Sequence, residues 1–506
     1  MAYRSGIYYF PAAYRLSFSQ VFHEPREGAL MKKVVMIAYS FPPEGSAGTY
    51  RPLRFCRHLP KLGWQASVIA VVKDLYERQD PGLGALVPSD TEVIRVRGND
   101  PWQSYQAKRN RRFDENGSRV SAETLTQIRR AHKMPLRSFA REAVRRVEAW
   151  WYHPDMAAPW IQPAVEETVK LCQRTGAKVI WATAPPVSSL CVAQRASERA
   201  GVPYVLDFRD PLTFVPNAFE LKRPRWAIRK DRERMYRLLQ GARAAIFRHA
   251  TDAECYWRAY PKAFRAENVH LIPNGYEGEI EKFTAPVGEK CTILYSGTLS
   301  GAPYRYDTLL QSLHLLKQTD RERAKQLRLL FVGDGTEILK EQAESLGVSE
   351  MVDVTGPIRQ DEVARLSREA HALLALGLMP NVKGYELLVA SKLFGYFKAG
   401  RPIIGVLPQD ETRSFLKRVG VTIIADVDSV SDITAVLCKL LDHWSEGTLS
   451  SLIPEAKACR AFSAEVQTAA LISALDGKPA HDPFMPGVVE IPPSLRAHIG
   501  KEGWVR

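Results

Sequence analysis

The run Lys32-Lys33-Val34-Val35-Met36-Ile37-Ala38-Tyr39 passes straight into Ser40-Phe41-Pro42-Pro43-Glu44-Gly45-Ser46-Ala47-Gly48, and a helical pattern over 49–62 follows. Apolar residues without polar alternation mark a strand buried on both faces, and the proline- and glycine-rich turn hands the chain to a helix. The same unit recurs downstream. Strands are predicted over 66–72, 92–96, 178–183, 203–207 and 244–247, with helices over 161–175 and 187–200. A second series begins with CTILYSG at 291–297 and continues through 327–333, 351–356, 371–377, 402–407 and 421–426, separated by helices over 306–318, 336–346 and 360–370.

Buried strands alternating with helices predict an α/β chain of two doubly wound, Rossmann-like parallel sheets, each covered on both faces. The first domain is expected over 31–276 and the second over 277–460, with the junction at the turn cluster Pro273-Asn274-Gly275. Open parallel sheets bind ligands at the carboxyl ends of their strands, so two facing sheets are expected to enclose a cleft. Residues 461–476 read as a terminal helix packing back and 477–506 as a loose tail. Residues 1–30 follow neither period and are expected to be a disordered extension, with the fold starting at Met31.

Composition narrows the classes. A 506-residue chain with 45% hydrophobic and 25% charged residues matches an ordinary globular protein. No stretch reaches the roughly 18 consecutive apolar residues of a spanning helix, and the opening segment lacks a secretory core. The seven cysteines are scattered, without C-x-x-C spacing, and the histidines form no metal-type spacing. These features predict a cytoplasmic protein with no metal site. The formal charge of +14 predicts attraction to polyanions. No recognition-helix, zinc-finger or aromatic-sheet signature accompanies the charge, so nucleic acid is not an expected partner.

Several turns carry chemistry. Gly45 and Gly48 lie in a strand-to-helix turn whose amide N–H groups, at a positive helix end, suit a diphosphate; a plain tight turn is the other reading. Asp207-Phe208-Arg209-Asp210-Pro211 ends a strand, so Asp207, Arg209 and Asp210 are placed to orient or deprotonate a hydroxyl, or else to form a buried ion-pair network bracing the turn.

The Asp207-to-Pro211 string, with Trp181-Ala182-Thr183-Ala184-Pro185-Pro186 and Ile272-Pro273-Asn274-Gly275, resembles the acceptor-side domain of glycosyltransferase family four, in its bacterial polysaccharide branch. Tyr295-Ser296-Gly297-Thr298, Phe331-Val332-Gly333-Asp334-Gly335, Gly356-Pro357-Ile358, Ser391-Lys392-Leu393-Phe394-Gly395-Tyr396 and Ala399-Gly400-Arg401-Pro402 resemble its donor-binding domain. The resemblance covers about residues 31–475 and implies the GT-B architecture. It further implies a nucleotide-diphosphate sugar as donor substrate, no separate cofactor, a lipid-linked or saccharide acceptor, and metal-independent transfer with retention.

Carried over by position, the resemblance places donor phosphates against the amides of Gly297 and Thr298, with Arg305 and Lys392 neutralising the departing diphosphate. Gly333, Asp334 and Gly335 would bend beneath the donor, and Gly356, Pro357 and Ile358 would cradle the base, with Leu393 beside the donor. One position departs from the pattern. Gly395 stands where the family places a glutamate that grips the ribose hydroxyls, and glycine cannot accept those hydrogen bonds. Glu386 is the nearby carboxylate that could substitute. Two rivals stay open: a nucleotide-sugar epimerase on the same fold, and a binding scaffold that has lost turnover.

Residues 136–151, LRSFAREAVRRVEAWW, place Leu136, Phe139, Val144, Val147 and Trp151 on one helical face and arginines elsewhere. Such a helix suits an anionic membrane surface, giving a peripheral location, and equally suits a helix covering the first sheet with its charges in water.

Overall fold

The computed structural model describes residues 30–76, 79–99, 150–212, 214, 225–300, 304–379, 385–480, 483–489, 491 and 495. Residues 1–29 of the predicted extension and residues 136–149 of the predicted amphipathic helix lie outside the described residues. The chain divides into two compact units, changing from one to the other after Ile272 and again between Gln467 and Thr468. The sequence-based boundary at 276 therefore moves to 272, and the one at 460 moves to 467.

The first unit is built on seven parallel strands: β1 (Lys32–Ile37), β2 (Trp64–Val71), β3 (Val93–Val96), β4 (Val179–Ala184), β5 (Tyr204–Phe208), β6 (Ala244–Phe247) and β7 (Val269–Leu271), in the order β3-β2-β1-β4-β5-β6-β7. The order reverses between β1 and β4, the topological switch point at which such sheets take ligands. The three-residue strand β7 and the helices that flank β6 are absent from the sequence-based reading, because so short an edge strand gives no period to detect.

Numbering only helices of eight residues or more, this unit holds α1 (Ala47–His58), α2 (Ile161–Thr175), α3 (Val187–Ala200), α4 (Arg225–Gly241) and α5 (Ala250–Ala259). Pro52 lies inside α1 and has no N–H to give to the carbonyl of Gly48 one turn earlier. The guanidinium of Arg209 donates to that carbonyl instead. A strand-end side chain thus completes a helix that its own sequence leaves incomplete.

The second unit has six parallel strands: β8 (Cys291–Ser296), β9 (Leu327–Val332), β10 (Val352–Gly356), β11 (Ala372–Leu376), β12 (Ile403–Leu407) and β13 (Ile424–Asp426), in the order β10-β9-β8-β11-β12-β13. Its helices are α6 (Tyr306–Thr319), α7 (Ile338–Ser345), α8 (Gln360–Glu369), α9 (Lys392–Ala399), α10 (Glu411–Arg418) and α11 (Val430–Ser445). Side chains alternate between the two faces of the sheet, as strand geometry requires. Leu327, Leu329 and Phe331 of β9 join Leu309 and Leu313 of α6 and Leu437 of α11 on one face. Leu330 and Val332 face the other side, with Phe394, Phe397, Phe415 and Phe462. Both faces are therefore buried, which explains the unbroken apolar runs in the sequence.

Helix α12 (Ala464–Leu475) puts Leu471, Ala474 and Leu475 into the core of the first sheet beside Val34 and Met36. The tail is not loose throughout, which corrects the sequence-based expectation. Phe484 is buried and packs edge-on against Trp257 of α5, while the Gly487 N–H donates to Glu254 at 2.9 Å. Phe484 and the buried Ile491 and Leu495 are apolar anchors spaced among prolines, a pattern without helical or strand period.

Candidate functional site

In the second unit the carboxyl ends of β8, β9 and β10 are tied together by their backbones. Gly297 N–H donates to Val332 O, Leu299 N–H to Asp334 O and Gly333 N–H to Gly356 O, each at 2.9 Å. Gly297 and Gly333 have φ of 146° and 135°. A β-carbon on Gly333 would strike the Gly297 carbonyl group, its carbon only 2.7 Å away, so both glycines are required for this close approach.

Lys392, the first residue of α9, projects its ammonium into this junction. Its Nζ is shut off from solvent and has no hydrogen-bond partner among the described residues. It lies 3.5 Å from the centroid of the Tyr295 ring and 5.7 Å from that of Tyr304. A β-carbon at Gly297 would stand 3.1 Å from it. Burial pushes the Lys392 ammonium well below its ordinary pKa. One turn further along α9, the Tyr396 hydroxyl accepts from the Ser296 N–H at 3.0 Å and donates to Leu374 O at 3.4 Å. Tyr396 thereby fastens α9 to both β8 and β11 and fixes where Lys392 points. Tyr396 lies within the Ser391-to-Tyr396 motif, but no local spacing points to this task.

The other donor-side candidates separate into distinct groups. Thr298 and Pro357 are exposed and Ile358 is half-buried, so all three are accessible to a ligand. Asp334 is exposed and accepts from Ser300 Oγ at 2.6 Å, and Gly335 follows it in the same turn. Glu386 is half-buried in the short turn Tyr385–Leu387. Leu393 is fully buried in the core, which removes its side chain from donor contact. Arg305 is also corrected: its guanidinium lies 3.4 Å from Asp307 and 3.2 Å from Asp428, so its charge is already offset within the protein. Gly395 is exposed, and a β-carbon there would meet nothing within 4 Å.

In the first unit the candidates stand at the ends of β1, β4 and β5. Asp207 is 0% exposed. Its carboxylate accepts from Arg51 Nη2 at 2.7 Å, from Arg51 Nε at 2.9 Å and from Thr183 Oγ1 at 2.8 Å. Arg51 also donates to Ile272 O at 2.9 Å, tying three strand ends to α1. Such a carboxylate is a brace and not a base, which corrects the expectation for Asp207. Arg209 spans the carbonyls of Gly48 and Pro185, joining the turns after β1 and β4 at the switch point. Its Nε has no partner among the described residues, and burial lowers its pKa.

Asp210 differs from Asp207, three residues back. Its side chain is half-exposed and lies 3.7 Å from Arg248, which is itself buried and held by Asp252 at 2.9 Å. Asp210 is thus the accessible carboxylate of the three strand-end candidates. The turn holding Gly45 and Gly48 carries a negative charge of its own. Buried Glu44 accepts from the Ser46 N–H at 3.2 Å, from Ser46 Oγ at 2.7 Å and from the Thr49 hydroxyl. That carboxylate occupies the start of α1, where an incoming diphosphate would meet like charge, so the expectation for Gly45 and Gly48 is weakened.

Arg51, Arg248 and Asp252 were not among the sequence-based candidates, and Thr183 stood only inside a quoted motif without this role. Arg51 and Asp207 are 156 residues apart, and no local spacing links them.

Comparison with known proteins adds three findings. Residues 277–381 match the model of the family described as glycosyl transferases group 1. No curated protein matches this chain. Among solved structures, the chain is similar to Anabaena Alr3699/HepE in complex with UDP, at 15% identity and a TM-score of 0.53, covering 88% of this chain and 100% of that one. It is similar to a glycosyltransferase from Rickettsia africae ESF-5, at 10% identity and a TM-score of 0.54, covering 88% and 98%. It is also similar to the apo form of the lipopolysaccharide outer core galactosyltransferase WaaB, at 12% identity and a TM-score of 0.51, covering 88% and 99%. At these identities the likeness is one of fold.

Proposed function

We propose that the chain is a glycosyltransferase whose donor is a nucleotide-diphosphate sugar and whose acceptor is a lipid-linked or saccharide hydroxyl, a reading supported by the match of residues 277–381 to the glycosyl transferases group 1 model and by the two parallel-sheet units. The observation that carries this reading is the Lys392 ammonium, buried without a carboxylate partner beside Gly297, whose own N–H already donates to Val332 O and so is not the phosphate-binding amide that the resemblance implied. A buried cation without a counter-charge is costly, and an entering diphosphate offsets that cost.

In the reaction the acceptor oxygen bonds to the anomeric carbon of the sugar, and the bond from that carbon to the β-phosphate oxygen breaks. The acceptor proton passes to the departing phosphate, consistent with retention. Lys392 stabilises the charge that grows on the leaving group, a task that needs no divalent ion when a side chain supplies the charge. Arg305, already paired, contributes less. On its own unit Asp210 is the carboxylate available to orient an acceptor hydroxyl.

A thermal-shift titration of the full chain with a panel of UDP-, GDP- and dTDP-sugars tests the reading. At least one donor should raise the melting temperature and release nucleotide with an acceptor extract, and Lys392→Ala should lose both effects. No stabilisation by any donor, or an unaltered response in the variant, would overturn it. Gly395 favours a second reading, a nucleotide-sugar-binding scaffold without turnover, since the helix lacks a carboxylate there. Donor stabilisation without nucleotide release from any extract would favour the scaffold.

A further inference from the structure

The first unit exposes large aromatic side chains in one place. Trp150 and Trp151 are 65% and 49% exposed, with ring centroids 6.3 Å apart, and Met156 is 48% exposed. Leaving such bodies in water is unusual for a folded surface and marks a contact site. The segment that bears them is anchored to α4 through His153. The His153 Nε2 lies 2.9 Å from Asp231, its Nδ1 is 2.8 Å from Arg234 Nη2, and its ring is 5.7 Å from that of Trp226.

Helix α4 supplies the opposite chemistry. Between Trp226 and Gly241 it carries Arg229, Lys230, Arg232, Arg234 and Arg237 against Asp231 and Glu233. Asp231 is engaged by His153 and Arg234, and Glu233 lies 3.8 Å from Arg229. Lys230 and Arg237 are exposed, and Lys230 Nζ stands 5.5 Å from the centroid of the Trp226 ring. Indole bodies beside outward-facing cations match the boundary between acyl chains and phosphate headgroups.

We propose that the face formed by Trp150, Trp151 and Met156 with the cationic side of α4 docks on a bilayer surface rich in anionic phospholipid. The tryptophans enter the headgroup region while Lys230 and Arg237 meet lipid phosphates. No helix among the described residues is long and apolar enough to cross a membrane, so this attachment lies on the surface. The Trp150 and Trp151 rings are inclined at 52°, which does not form parallel plates for stacking nucleic-acid bases. These residues belong to the first unit and Lys392 to the second, and the test does not depend on transfer.

The test is co-sedimentation of the full chain with phosphatidylcholine vesicles, with and without phosphatidylglycerol, paired with quenching of tryptophan fluorescence by brominated lipid. Wild type should bind only the vesicles containing phosphatidylglycerol and be quenched. Trp150→Ser/Trp151→Ser should lower partitioning about tenfold or more and remove the quenching. Lys230→Glu/Arg237→Glu should lower partitioning at low salt with the fold unchanged, and it serves as the test should the serine variant melt early. Absence of binding to phosphatidylglycerol vesicles would overturn the proposal. So would undiminished binding of both variants, or wild-type protein bound without quenching and displaced by heparin, which indicates a soluble polyanion as partner.

Discussion

Lys392 Nζ sits 3.5 Å from the centroid of the Tyr295 ring, and the ring face takes the place of the counter-ion that buried ammonium groups ordinarily have. A ring quadrupole offsets about 2 kcal/mol of a desolvated cation's cost, far short of what a carboxylate or phosphate supplies. The site is therefore poised for an anion. Lys392→Ala should reduce turnover by about a hundredfold or more, the usual loss when one donor to developing charge is removed. Steady-state nucleotide release measures it, and a loss under threefold would end the leaving-group assignment.

The depressed pKa of Lys392 has a signed consequence for stability. In the unfolded chain the amine titrates near 10.4, so between the lowered folded pKa and that value the unfolded state binds the extra proton. Stability from this group is present above the unfolded pKa and is lost as pH falls toward the folded one. Lys392→Met should accordingly stabilise the ligand-free protein more at about pH 7 than at about pH 10, as urea unfolding at the two values would show. Donor binding should also draw in a proton, visible as a buffer-dependent enthalpy in calorimetry.

Gly395 follows Lys392 by three residues on α9, which places both on one helical face. Since a β-carbon there meets nothing within 4 Å, Gly395→Glu should fold without a clash. Replacing a helical glycine should stabilise by about 0.5–1 kcal/mol. If the donor ribose lies against this face, the new carboxylate should tighten donor binding about tenfold through charge-assisted hydrogen bonds. Calorimetric affinities of the two proteins decide it.

Asp207 and Asp210 should respond oppositely to mutation. Asp207→Ala removes the buried carboxylate that faces the Arg51 guanidinium in the core and should cost about 3–5 kcal/mol of stability. Asp210→Asn, at a half-exposed position, should leave the melting curve almost unaltered while lowering turnover by about a hundredfold. Equal stability losses in both variants would show that Asp210 is also a brace.

Pro52 and Arg209 should be energetically coupled through the Gly48 carbonyl. Arg209→Ala strands that acceptor and should cost about 1–3 kcal/mol. In a Pro52→Ala background the alanine N–H can bond the same carbonyl within α1, so the cost of Arg209→Ala should fall. A double-mutant cycle by chemical denaturation measures the difference, and strict additivity would show that Arg209 acts on another group.

Much of the architecture was readable from local pattern. The runs at 34–38, 179–184, 291–296 and 403–407 are predominantly apolar without a period-2 alternation because both faces of each strand are covered, and this distinguishes a buried parallel sheet from an antiparallel one with a wet face. The turns containing Gly297, Gly333 and Gly356 were legible for a similar reason, since positive φ selects glycine at the position itself. Strand β7 was not, being three residues of an edge, and the buried segment around Phe484 follows no period.

Side-chain roles divided along another line. That Asp207, Arg209, Asp210, Arg305 and Lys392 stand near strand or helix ends follows from the order of residues along the chain, because covalent geometry places whatever follows a strand at its tip. Whether each charge is free depends on partners brought from elsewhere. Asp207 is consumed by Arg51 and Arg305 by Asp428, while Lys392 keeps its ammonium unpaired. Sequence by itself determined the two parallel-sheet units, their glycine turns and the positions of the cations. Only the tertiary structure decided which charges are already neutralised, since ion pairing acts through space over a few ångströms and leaves no trace in residue spacing.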